Sequence, residues 1–175
     1  MFPGAKNIIQ EAMKMLKKIA CILLYYFAAE IFSLFICLTL ASSGSTPMRL
    51  LSTVFTLGVL ASIMLSLGMK MAKEDKPESI YNTFINASVY KEILCIIPDV
   101  SWIVLLVSHF RGGSFYRIHK LLNGWFLPVF NIMQPGISSA DLTGVQLFLM
   151  LLLADVPGWL LMAGYFYESR NYRKN

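Results

Sequence analysis

"IACILLYYFAAEIFSLFICLTLA", residues 19–41, is an apolar run of 23 residues broken by one charge, Glu30. A helix of that length covers about 34 Å, enough for the ~30 Å hydrocarbon core of a bilayer. Its Leu, Ile and Phe residues each favour insertion by ~0.3–0.6 kcal/mol, which outweighs the ~2.5–3.5 kcal/mol cost of one central acid. A cleaved secretory signal has an apolar stretch of only about 7–15 residues. The run therefore reads as a retained membrane helix.

Three further stretches follow the same logic: 50–69, 93–110 and 145–166. Hydrophobic residues make up 57% of the 175-residue chain and charged residues only 14%, with a mean hydropathy of +0.61. Soluble domains carry about 25% charged residues, so lipid is the expected solvent. The expected fold is an all-α integral membrane protein: a single domain, residues 1–175, built as a four-transmembrane-helix bundle.

Charge sets the expected orientation. Lys6, Lys14, Lys17 and Lys18 precede the first span. Lys70, Lys73, Lys76 and Lys91 separate the second from the third, and Arg170, Arg173 and Lys174 follow the fourth. The other side carries Arg49, Arg111, Arg117 and Lys120. By the positive-inside rule both termini are cytoplasmic and the protein lies in the cell membrane. The net charge of +5 then reflects topology and attraction to anionic headgroups. No basic run is interleaved with aromatics, so the lipid bilayer is the expected partner and nucleic acid is not.

Three amphipathic helices are expected at the interface. Residues 5–18 place Ile8, Ile9, Ala12, Met13 and Leu16 on one face, with lysines opposite. Residues 75–91 open on Asp75, Pro77 and Glu78 as a capping arrangement, followed by Ile80, Tyr81, Phe84 and Ile85. Residues 115–133, interfacial or re-entrant, set Phe115, Ile118, Leu122, Trp125 and Val129 against Arg117, His119 and Lys120. Pro128 and "QPG" at 134–136 should end that segment, and Ser138, Ser139 and Asp141 offer caps for the last span.

The features that could carry chemistry are acids inside apolar spans: Glu30, Asp99 and Asp155. Intramembrane acids face the bundle interior and mark proton or ion pathways or partner contacts. Tyr26, Ser33 and Cys37 share Glu30's helical face. No basic residue is expected at mid-membrane to pair with these acids. "PDVSWIVLLVSHF" (98–110) echoes "ADVPGWLLMAGYF" (154–166), each with a proline beside the acid: Pro98 and Pro157. Pro157 should free the Leu153 carbonyl, and Gly158 should ease a kink. Gly58, Ser62 and Ser66, spaced by four, are a helix-packing face for this bundle or for a second protein. Cys21, Cys37 and Cys95 lack the spacing of a zinc site or a disulfide framework. No metal or cofactor is expected, and neither HExxH nor GxSxG is present.

Two short stretches are similar to known families. "AAEIFSLF" (28–35) resembles the glutamate-bearing first helix of the small multidrug-resistance transporters, though this chain's charge bias opposes their dual topology. "LSLGMKMAKEDKPESIYNTF" (65–84) is similar to the span-then-loop elbow of several multi-pass bacterial families, which implies a membrane fold alone. The expected function is a non-enzymatic membrane subunit or accessory protein that meets a membrane-protein partner or its own copies. The alternatives are a proton- or cation-coupled transporter using Glu30 and Asp155, and an enzyme acting on lipid, with His109, Arg111, Arg117 and His119 near the headgroups.

Overall fold

The computed structural model describes residues 3–41 and 45–172; Arg173 and Lys174 lie outside them, as do the side chains of Lys6 and Ile8. The chain forms α1 (Pro3–Ala41), α2 (Thr46–Asp75), α3 (Ile80–Phe110), α4 (Tyr116–Leu122), a 3-10 turn at Gly124–Phe126, α5 (Leu127–Met133) and α6 (Gly144–Tyr172). No strand occurs among the described residues. Four helices, α1, α2, α3 and α6, are long and apolar enough to cross a membrane.

Large apolar side chains point away from the bundle on every long helix, among them Leu38 (71% exposed), Val54 (68%), Phe110 (79%) and Val145 (70%). Water would penalise that much contiguous apolar surface, whereas hydrocarbon does not. The interior is filled by Tyr26, Leu60, Met64, Leu67, Leu94, Trp125, Phe126, Phe130 and Tyr165.

The basic segment 5–18 is no separate element, because α1 runs unbroken from Pro3 to Ala41. The same holds for 75–91. Asp75 is the last residue of α2, which ends with Lys76 in the left-handed region (φ 47°) and its N–H on the Ala72 carbonyl. The N-cap of α3 is Ser79, whose hydroxyl accepts from Asn82 N at 3.0 Å. Helix α3 then continues to Phe110, with Pro98 buried inside it. Helix α6 is likewise continuous through Pro157. It starts from a reciprocal cap of Thr143 and Gln146, not from Ser138, Ser139 or Asp141.

Helices α2 and α6 make the closest approach in the bundle. A Cβ on Gly68 would lie 2.7 Å from Tyr165 N and nearer still to the Leu161 carbonyl oxygen. A Cβ on Gly164 would meet the Leu65 backbone, with its carbonyl carbon at 2.9 Å. Gly58, Ser62 and Ser66 instead face outward, and nothing lies within 4 Å of a Cβ built on Gly58. The expected small-residue face is thus exposed, because helical phase turns Gly68 about 120° away from its centre.

The segment 115–133 departs most from expectation. It is two short helices joined at Asn123–Phe126, and the expected two faces are mixed: Arg117 is exposed, while Trp125, Phe126 and Phe130 are buried. His119 and Lys120 are buried, while Ile118 (48%) and Leu121 (50%) are exposed. Pro128 opens α5 instead of ending a helix. This hairpin packs against α1, α2 and α3. Its turn reaches Glu30, midway along the 19–41 run.

Candidate functional site

The polar side chains of the bundle form three groups. The first surrounds the hairpin turn. Asn123 and Gly124 break the α4 helix, and Gly124 N–H donates to Glu30 Oε1 at 2.5 Å. Glycine is what lets the turn come this close, since a Cβ there would sit 2.7 Å from both Glu30 Oε1 and Leu34. Tyr26, Glu30, Ser33 and Cys37 all face this turn and are buried. The Tyr26 hydroxyl donates to the Leu122 carbonyl at 2.7 Å, and its ring meets Trp125 edge-on at 4.8 Å. The Cys37 thiol lies 3.8 Å from the Gly124 carbonyl and 3.7 Å from Ser52 Oγ.

On the far side of the turn, Asn123 Nδ2 donates to Ser101 Oγ at 3.1 Å and to the His119 carbonyl at 3.0 Å. Ser101 Oγ in turn lies 3.0 Å from His119 Nδ1. The His119 imidazole is fully buried. Lys120 is anchored through Asn131 Oδ1 (2.9 Å) and the carbonyls of Gln134 (2.8 Å) and Gly136 (3.0 Å). Its ammonium also covers the Tyr116 ring.

Among the described residues, five buried polar atoms of this region have no hydrogen-bond partner: Glu30 Oε2, Ser33 Oγ, His119 Nε2, Asn123 Oδ1 and Trp125 Nε1. Trp125 can only donate, Asn123 Oδ1 can only accept, and Ser33 can do both. They lie on the hairpin and on the facing stretch of α1.

The second group is Lys91, Asp99 and Asp155, where α3 and α6 run antiparallel. Lys91 Nζ is 2.7 Å from Asp155 Oδ1, with the Trp159 ring beneath it at 5.1 Å. This corrects the expectation that no base is available to the intramembrane acids. Lys91 precedes the third apolar run, but the helix register brings it to the level of Asp155. Gly158 leaves the room: a Cβ there would be 2.6 Å from both Lys91 Cγ and Cys95 Sγ. The Asp155 side chain is 36% exposed, and Asp99 lies within the field of both Asp155 and Lys91. Pro157 is buried beside them, and Leu153 packs on the core. The three acids therefore do not converge, because Glu30 belongs to the hairpin.

The third group joins Asp75, expected only as a helix cap, and Lys18, expected only as an orienting charge, to residues the sequence did not single out. The Asp75 side chain is 5% exposed and is ion-paired to Lys18. It also accepts from the hydroxyls of Tyr90 and Tyr165, each at 2.8 Å. Lys18 donates to Tyr90 as well, and Asn86 reaches Tyr165 at 3.3 Å. One carboxylate thus ties α1, α2, α3 and α6 together at the end of the bundle that carries both termini. Among the described residues no cluster of His, Cys, Asp and Glu is suited to a metal ion. The three cysteines are free.

No known protein family, curated protein or solved structure matches this chain.

Proposed function

We propose that this is a small membrane protein that binds and passes a proton or a small cation at Glu30, with the 116–133 hairpin as the element that shapes the site. The observation that carries this reading is the set of five unpartnered buried polar atoms around the hairpin turn. Leaving one such atom unsatisfied costs about 1–3 kcal/mol, so five together rival the ~5–15 kcal/mol total stability of a typical domain. Such a concentration fits a place where a proton or ion is exchanged. Non-helical backbone at membrane depth is tolerated where it is buried in protein or lines a polar path, and transporters place ion sites at broken helices.

Within this reading Asp155 is a structural partner of Lys91, and Glu30 alone is the exchanging group. Both termini are cytoplasmic, following the lysine excess on their side, and the host bilayer is the cell membrane. The test is flux from proteoliposomes followed with a pH-sensitive dye and with sodium and potassium gradients. The unmodified protein should dissipate at least one gradient. Glu30→Gln should slow it at least tenfold, and Asp155→Asn should leave it within about twofold of the parent, effects separated by about 1 kcal/mol. Absence of flux in every gradient, or full flux from Glu30→Gln, overturns the reading.

A second reading, a non-enzymatic subunit that assembles with another membrane protein or with its own copies, rests on the outward-facing Gly58, Ser62 and Ser66. Gly58→Ile should abolish such assembly in mild detergent, and a monomeric parent would remove the reading.

A further inference from the structure

At the terminal end of the bundle a cleft of about 550 Å³ opens between α1 and α2, lined by Lys14, Lys17, Lys18, Cys21, Lys70, Glu74 and Asp75. We infer that this cleft binds the phosphate of an anionic membrane lipid. The argument begins with charge. Lys14 lies three residues before Lys17 and four before Lys18 on α1, spacings at which like charges repel across a helix face. Helix α2 then brings Lys70 to the same cleft.

Of the lysines lining the cleft, Lys18 is the one ion-paired to a carboxylate among the described residues, that of Asp75. That carboxylate is also spent on Tyr90 and Tyr165 and is buried. The cleft therefore retains Lys14, Lys17 and Lys70 against the single carboxylate of Glu74. An anion that neutralised the excess would remove the repulsion that the sequence builds in.

The position of the cleft selects a lipid. Lys18 immediately precedes the 19–41 apolar run, and Cys21 already lies within it. Lys70 extends over the Tyr25 ring at 5.4 Å and reaches Cys21 Sγ at 3.2 Å. The site thus spans the boundary between polar and apolar surface. A phosphodiester would meet the ammonium groups while its acyl chains continue along the exposed apolar faces of Leu24 and Phe27. The volume falls within the ~300–1,000 Å³ usual for sites of small ligands. A choline headgroup would bring a cation among the lysines and is disfavoured.

The experiment is a lipid titration of the full chain in mild detergent, read by native mass spectrometry. Phosphatidylglycerol, phosphatidylcholine and inorganic phosphate serve as the probes. The parent should take up one phosphatidylglycerol well before it takes up phosphatidylcholine. The triple variant Lys14→Gln/Lys17→Gln/Lys70→Gln should weaken that first binding by about tenfold or more, in line with what each lysine near an anionic surface contributes. Lys73→Gln/Lys76→Gln, altered at neighbouring exposed lysines outside the cleft, should bind like the parent. Thermal unfolding of each variant checks that the bundle is intact.

Unchanged binding by the triple variant overturns the proposal. Equal loss in the control pair overturns it too, since the effect would then be diffuse charge. Inorganic phosphate that occupies the site as tightly as the lipid would also overturn it, by assigning the cleft to free phosphate.

Discussion

Gly68→Ala should destabilise this protein, whereas Gly58→Ala, ten residues earlier on the same helix, should not. A methyl on Gly68 would sit 2.7 Å from Tyr165 N and closer to the Leu161 carbonyl oxygen. Both are backbone atoms of α6 and cannot rotate away. Non-bonded carbon contacts relax to about 3.5 Å, so α2 and α6 would have to part by on the order of 1 Å. Overpacking of this kind costs about 1–3 kcal/mol, and rigid backbone obstruction puts Gly68 at the upper end. The better helix propensity of alanine returns about 1 kcal/mol. The net loss is then about 2 kcal/mol, or a fall in Tm of roughly 4–8 °C for a chain of this size.

At Gly58 nothing lies within 4 Å, so only the propensity gain remains and Tm should hold or rise by a few degrees. Thermal unfolding in mild detergent, followed by circular dichroism, reads both variants. Gly164→Ala should behave like Gly68→Ala, and the double variant should fall short of the sum because both report one contact. Equal destabilisation by Gly58→Ala, or none by Gly68→Ala, would refute the assignment of the close α2–α6 contact to Gly68 and Gly164.

Asp75→Asn should cost about 2–4 kcal/mol, because it leaves Lys18 partly buried beside a neutral partner and weakens both tyrosine hydrogen bonds. Tyr165→Phe should cost nearer 1 kcal/mol in the same assay. Lys91→Met should weaken the bundle more than Lys91→Met combined with Asp155→Leu, since the single change strands a carboxylate.

Much of the architecture is legible in local pattern. Apolar runs of membrane-spanning length report on how a helix meets its solvent, and they give four spans whatever packs against them. The interior-facing stripe of Tyr26, Glu30, Ser33 and Cys37 likewise follows from a single helix's periodicity. Two local signals of the hairpin went unread: Asn123–Gly124 is a turn dipeptide, and Pro128, expected to end the segment, favours the first turn of a helix and opens α5. The direction of the hairpin is not written locally. An amphipathic segment has one polar and one apolar face, but no local rule says which faces the protein when the surroundings are apolar. Here the inward side takes His119 and Lys120 together with Tyr116, Trp125 and Phe130.

By itself, then, the sequence determined the number and approximate extent of the helices long and apolar enough to cross a membrane, because those depend on free energies of transfer residue by residue. Only the tertiary structure decided partnership. It matched Asp155 with Lys91, gathered four helices on Asp75, moved the close helix contact from Gly58 to Gly68, and set Gly124 on Glu30. Each of these depends on the register between helices far apart in sequence. That register is chosen by the packing of whole faces, and no single segment encodes it.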